Sequence, residues 1–526
     1  MASEGIHLPS PEAKPGAARP DGAKPAEGGL ASGRPNSGRL LACALVLLVA
    51  SAALLYRAVN AVLPTGMVFW GGLALGLYVY GLLFALLAIR GPGCGPASWR
   101  LGPWMMIWAG TMYGLATVTL DQTQNTLVGQ IILANVGRAL WLVAAGTTMW
   151  LAGYLVGPGR PLRRAAGGGA NRLQRQFSAD VRSPLTPWLL YGVGTLARLA
   201  TALATGRFGY VGNAASAVST AAWYDQMLIL LGLCGQVGLA LAALQVFRQG
   251  LNGARVTLVV LFLAELGYAI ASGQKENYAT AVLAVVIPFT AGKKRLPKAT
   301  LTGVVLIFLV VIIPFTAAYR STVREAAGTN ISAGQAVGAA PQILRATLEG
   351  GDSLLTAIPG SISYLLTRGQ DIDAPAIIMQ RTPGQIPYSD PVQLVTGPLG
   401  ALIPRALWPE KPILATGYEF GQEYFDVPST VYSATTITPI GDLYRHGGWL
   451  PVLIGMFVFG CGVRLLDDVL DVRDNPHTVF LTLFLFPSLV MSEQDWTTLL
   501  AAIPAFILLW GFTVAFSFRR RRQEAA

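Results

Sequence analysis

The apolar residues of this chain gather in long unbroken runs, not in the stripes of period 2 or 3.6 that mark a soluble strand or helix. Twelve runs lie at 40–56, 66–89, 103–120, 138–157, 187–206, 226–247, 256–271, 278–292, 300–318, 449–466, 477–492 and 496–517. A helix needs about 20 apolar residues to cross a bilayer, and most of the runs approach that length. Those at 256–271 and 278–292 borrow polar ends to fill a span. In lipid a backbone must satisfy its own hydrogen bonds, which leaves helices or a closed barrel. The runs are too long for barrel strands. The pattern therefore predicts an all-α fold, a polytopic membrane helix bundle of about 12 spans.

Two intervals break this rhythm. Residues 1–39 are rich in Pro, Gly and Ala, show no apolar period, and read as a disordered cytoplasmic tail. Residues 319–448 separate the ninth and tenth runs and form one large extracytoplasmic loop, far longer than an ordinary connection. Its apolar pieces, Leu354–Leu366 and Val392–Ile403, predict amphipathic or re-entrant helices lying against the membrane body. The expected organisation is thus the tail 1–39, a membrane domain of nine spans at 40–318, the loop 319–448, three further spans at 449–517 and a basic cytoplasmic tail at 518–526.

Composition agrees with that reading. Of 526 residues, 53% are hydrophobic and 12% charged, and the mean hydropathy is +0.51. Soluble domains carry about 25% charged residues, so an ordinary soluble or disordered chain is excluded. The net charge of +11 would suggest nucleic acid in a soluble protein. In a membrane protein it first orients the loops. With the N-terminus inside, 25 of the 38 lysines and arginines fall on the cytoplasmic side, among them Arg160, Arg163, Arg164, Arg172, Arg175 and Arg182 in one loop and Arg519–Arg522 at the end. Each short outside loop then holds at most one. The 319–448 loop carries eight cations against eleven carboxylates. Its excess is acidic, and long loops translocate regardless of charge. The excess positive charge is a topology signal, and no nucleic-acid partner is expected. Both termini are expected in the cytoplasm.

Cys43, Cys94, Cys234 and Cys461 have no zinc or disulfide spacing, and the three histidines are His7, His446 and His477. No metal or cofactor is expected.

The most unusual local string is Ile403-Pro404-Arg405-Ala406-Leu407-Trp408-Pro409-Glu410-Lys411-Pro412. Its prolines fix a rigid turn that presents Arg405 and Lys411 around Trp408. Such a pair suits a phosphate or diphosphate at the membrane surface. It equally suits an interfacial anchor. Before the tenth run, Thr436 to Gly448 brings Asp442, Tyr444, Arg445 and His446 to the mouth of a helix, with Gly447-Gly448 permitting close backbone approach. A lone histidine is more often structural than catalytic. Arg320 ends the ninth run, where headgroup snorkelling competes with ligand binding. Glu419 and Glu423, spaced i,i+4, are candidate general bases or simply a solvated face. Arg138, Arg198, Asp225 and Glu265 lie in or at the ends of runs and should face the bundle interior or water. Lys275-Glu276 in the turn Ser272–Tyr278 is either a salt-bridged turn or the wall of a polar cavity.

The Ile403-Pro404-Arg405…Trp408-Pro409…Lys411-Pro412 string, Thr436…Pro439…Gly441-Asp442-Leu443-Tyr444 with Gly447-Gly448, and the turn Ser272-Gly273-Gln274-Lys275 together resemble the bacterial O-antigen polymerase (Wzy-type) and O-antigen ligase-like group. The resemblance covers the C-terminal half, and the first 250 residues only by span pattern. The turn reads Gln274-Lys275 where Ser-Arg is common in the group, and Asp442 stands where Glu is expected. The resemblance implies metal-independent glycosyl transfer at the outer face of the bacterial cytoplasmic (inner) membrane, without a cofactor. Donor and acceptor would be polyprenyl-diphosphate-linked glycans, with membrane lipids, a flippase and chain-length regulator proteins as partners. Arg320, Arg405, Lys411 and Arg445 would hold the diphosphate, and Asp442, Glu419 or His446 would take the acceptor proton. Ligase chemistry differs only in the acceptor. A polyprenyl-monophosphate enzyme fits less well, because the first outside loop, Arg57–Thr65, has no carboxylate. A transporter or lipid-linked glycan flippase would suit twelve spans, but the halves show no repeat.

Overall fold

The structure is a computed structural model. It describes residues 65–89, 99–118, 131, 133–205, 208, 224–326, 333–349, 354–401, 403, 407–408, 416–428, 435–470, 472, 475–491 and 493–521. The expected tail 1–39, the run 40–56, and Arg405 and Lys411 lie outside the described residues.

The apolar runs among the described residues fold as helices. The first are α1 (Thr65–Ile89), α2 (Leu101–Ala109), which passes through a π turn at Gly110–Leu115 into α3 (Ala116–Val118), and α4 (Leu133–Val156). Next come α5 (Arg160–Gln176), strand β1 (Phe177–Val181), α6 (Thr186–Thr205), α7 (Asp225–Gly232) and α8 (Cys234–Phe247). They are followed by α9 (Ala254–Ser272), α10 (Lys275–Lys293), α11 (Lys298–Ile307) and, after a second π turn at Phe308–Ile312, α12 (Ile313–Ala326).

Six helical stretches among the described residues are long and apolar enough to cross a membrane by length and composition: Ala134–Val156, Met227–Phe247, Ala254–Ser272, Lys298–Thr322, Trp449–Val469 and Trp496–Ser517. Six is fewer than the twelve expected. The six are counted among the described residues, which exclude the run 40–56, and three further reasons are local. The run at 477–492 yields only Thr478–Val490, the 103–120 run is broken by its π turn, and α10 begins on Lys275-Glu276. The chain is an all-α membrane protein apart from one small sheet.

Residues 319–448 are not a loop. The ninth run continues as α12 to Ala326, so Arg320 sits within a helix. Then follow α13 (Ala333–Glu349), α14 (Leu354–Arg368), α15 (Asp373–Arg381), α16 (Gln393–Ala401), α17 (Thr416–Phe425) and α18 (Pro439–Arg445). α14 and α16 coincide with the two apolar pieces expected to be helical. The segment packs on the bundle: α15 against α4, α16 against the final helix, and α14 against both π turns. The chain closes with α19 (Trp449–Val469), α20 (Thr478–Val490), α21 (Trp496–Ser517) and β2 (Phe518–Arg520).

The six-arginine segment is likewise ordered, as α5 followed by β1. β1 pairs antiparallel with β2, setting Phe177 opposite Arg520 and Val181 opposite Phe518. The same end of the bundle holds the buried Asp467. Its carboxylate accepts from the Leu101 and Gly102 backbone N–H groups at 2.6 and 3.0 Å and from the Tyr154 hydroxyl at 2.7 Å. The orphan N–H groups that begin α2 are thereby capped from α19.

Arg198 and Glu265, expected to face the interior, meet there. Their side chains pair at 2.8 Å between α6 and α9, Glu265 is fully buried, and the Arg198 guanidinium lies 4.5 Å from the centre of the Tyr268 ring. Charge inside a bundle persists when paired in this way. Arg138 is instead exposed in the first turns of α4, beside Asn135. The Asp225 side chain lies outside the described residues.

Candidate active site

α18 is short, and its sequence explains both ends. Thr438 is the N-cap, its hydroxyl accepting from the Gly441 N–H at 3.2 Å, and Pro439 occupies the first turn, where no N–H is required. His446 ends the helix. Gly447 and Gly448, at φ 142° and 78°, then turn the chain sharply into α19. A side chain at Gly448 would come within 3.1 Å of the Tyr388 hydroxyl, so close approach here needs glycine.

Asp442, Arg445 and His446 converge on this helix. Asp442 is 2% exposed. Its Oδ1 accepts from Arg445 at 2.9 Å, and its Oδ2 accepts from the Trp496 backbone N–H at 3.0 Å. The His446 Nδ1 lies 2.8 Å from the Asp442 carbonyl oxygen. Burial raises the Asp442 carboxyl, while Arg445, His446 and the Trp496 N–H pull it back. The buried Arg445 Nε has no hydrogen-bond acceptor among the described residues. Tyr444 packs edge-on against Tyr388, with Arg138 of α4 within electrostatic reach.

The other expected site residues lie elsewhere. Glu419 and Glu423 are exposed on α17, a solvated face. Arg320 is half-buried on α12, which packs on α13 and α14, whereas α18 packs on α4, α15, α19 and α21. The three candidate bases are therefore not equivalent. Glu419 faces outward, and Asp442 commits both carboxylate oxygens to holding Arg445 and the start of α21. His446 is turned toward its own helix.

A second polar group adjoins the other end of α18, and sequence reasoning missed most of it. Gln370 and Asp371, between α14 and α15, are 7% and 5% exposed. The Gln370 Oε1 and the Asp371 Oδ2 are buried without a hydrogen-bond partner among the described residues. Burial, then the charges of Glu493 and Asp373, push the Asp371 carboxyl well above the usual carboxylate range, with Lys275 opposing. Glu493, in the turn between α20 and α21, is raised chiefly by burial, with Lys275 opposing. Lys275 is thus within electrostatic reach of both acids. Tyr113 of the first π turn lies beside Asp371 and Thr438. Among the described residues no group of three or more His, Cys, Asp or Glu side chains is placed to hold a metal ion.

No curated protein and no solved structure matches the chain. A match does cover residues 198–469, the stretch that runs from Arg198 of the intramembrane ion pair to the Asp467 cap and contains Asp371, Asp442, Arg445 and His446. Over that stretch the chain fits the family described as a domain of unknown function (DUF8712), and it belongs to that family.

Proposed function

We propose that this protein is a membrane glycosyltransferase that polymerises polyprenyl-diphosphate-linked oligosaccharide units at the outer face of the bacterial cytoplasmic membrane. In this reading both termini lie inside, and α13–α18 form an extracytoplasmic cap over the bundle. The acceptor hydroxyl attacks the donor's anomeric carbon. The bond from that carbon to the diphosphate breaks, and the electron pair leaves with the polyprenyl diphosphate.

The observation that carries the reading is the Arg445 guanidinium. It is held by Asp442 at the mouth of α19, yet its buried Nε–H has no acceptor among the described residues. A preorganised donor of this kind stabilises charge that develops on a departing oxygen. His446 beside Asp442, and Arg138 near Tyr444, extend the same polar mouth. Arg405 and Lys411, outside the described residues, remain part of the proposed diphosphate site on the strength of their rigid, proline-bounded string.

Deleting the gene and sizing the surface polysaccharide tests the reading. Loss of long chains with accumulation of single lipid-linked units is the expected result, and an unchanged size distribution would refute it. Complementation with Arg445→Ala should restore membrane insertion but lower chain extension by about 100-fold, the usual cost of removing one such donor. If deletion instead leaves full-length polymer unattached to its acceptor, the enzyme is a ligase with the same transfer chemistry.

A further inference from the structure

We propose that Asp371 is the general base of this transfer, with Lys275 and Glu493 as its positioning residues. The inference rests on the glycosyltransferase reading above. A base needs an oxygen that is free to receive the proton and held where a hydroxyl can reach it. The Asp371 Oδ2 is buried and has no donor among the described residues, while both oxygens of Asp442 are occupied and Glu419 points to solvent.

Charged groups from separate parts of the chain reach Asp371 or its neighbour Glu493 electrostatically. Lys275 and Glu276 come from the α9–α10 turn and Glu493 from the α20–α21 turn. Arg368 and Asp373 flank Asp371 on its own segment, and Tyr113 comes from the π turn. Elements this distant in sequence have no local reason to bring three acids together around one lysine. The group also lies at a useful place. Pro375 and Ile378 of α15 pack directly on Gly441 of α18, so the Asp371 segment adjoins the N-terminal end of that helix. Arg445 closes its C-terminal end. Seven residues of helix span about 10 Å, which sets the scale of the separation between the two groups.

The step balances without a further reactant. As the acceptor oxygen bonds to the anomeric carbon, its proton passes to the Asp371 Oδ2. The anomeric carbon–oxygen bond breaks toward the diphosphate, whose new charge Arg445 meets. Lys275 keeps the ionised base tolerable in a buried site, and Glu493 keeps it basic.

The test uses deletion cells complemented with full-length variants at matched membrane levels, and chain extension by their membranes on the cells' own lipid-linked units. Asp371→Asn should lower extension by 100-fold or more, and Glu349→Gln, at an exposed position on α13, should leave it unchanged. Glu493→Gln removes a charge that raises Asp371, so the acid limb of the rate profile should move to lower pH. Wild-type extension by Asp371→Asn would overturn the assignment while the gene-deletion phenotype keeps the transferase reading intact. Should Asp371→Asn be absent from membranes, an acid limb unmoved in Glu493→Gln would overturn it. If gene deletion itself leaves glycan length unchanged, the transferase reading fails and takes this inference with it.

Discussion

Asp442 lies within the seven-residue α18 and Asp371 beside its N-terminal end; both acids are buried, and their surroundings differ. Asp442 is saturated by a guanidinium and a helix N-terminus, which makes it an anchor. Asp371 has an oxygen without a partner among the described residues and two acidic neighbours, which suits the base role proposed for it. Asp373 belongs to the same region, and burial pushes its carboxyl up to about 7. An acid raised above its unfolded value, about 3.9, favours folding while protonated. Its contribution is complete below about pH 4 and is lost as pH rises through about 7. The α13–α18 region should therefore resist protease better at pH 5 than at pH 8, and Asp373→Asn should flatten that difference. Equal resistance of the wild type at both values would contradict the burial of this carboxyl. Little of this was legible in the sequence. The Asp442–Arg445–His446 group was, because its members are neighbours in the chain. Asp371 looked like any acid in a polar segment, since its burial depends on Lys275 and Glu493, each about a hundred residues away.

Among elements, the helices themselves were legible and their limits were not. A run of apolar residues announces a helix whatever surrounds it. Whether that helix ends at Tyr319 or at Ala326 depends on partners that hydropathy does not record, here α13 and the Ser272–Tyr278 turn. The α4–α19 seam shows the same dependence. Its two backbones meet at Gly153, where any side chain would strike the Phe457 carbonyl, and at Gly460, where it would strike the Trp150 carbonyl. Without a hydrophobic drive between helices in lipid, close packing over small residues holds such a pair together. Gly460→Leu should cost about 3 kcal/mol, the upper end for overpacked sites, read as a lowered thermal midpoint in detergent. Gly462→Leu, a position with open space around it, should leave that midpoint unchanged.

At the scale of the whole molecule, contacts sort the helix ends into two groups. One holds the α5–β1 segment, β2, Asp467 and the start of α2. The other holds the α9–α10 turn, Asp371, Glu493 and α18. The loop charges divide the chain in the same manner, with the basic segments in the first group. A reporter inserted near residue 370 should accordingly be exported, and one placed within the α5 segment retained in the cytoplasm. A cytoplasmic reporter near 370 would invert the proposed orientation. The count of twelve spans is where hydropathy and structure part, because a helix shortened by a π turn or a polar first turn reads as a full span in sequence.

The β1–β2 ribbon bears on how the molecule is made. β1 and its partner β2 are separated by more than three hundred residues of chain. Pairings so distant in sequence form late. Until then the β1 edge, with its backbone donors and acceptors, stands open at the arginine-rich end. A chain lacking Phe518–Arg520 would offer quality-control proteases an unpaired strand that the paired ribbon conceals.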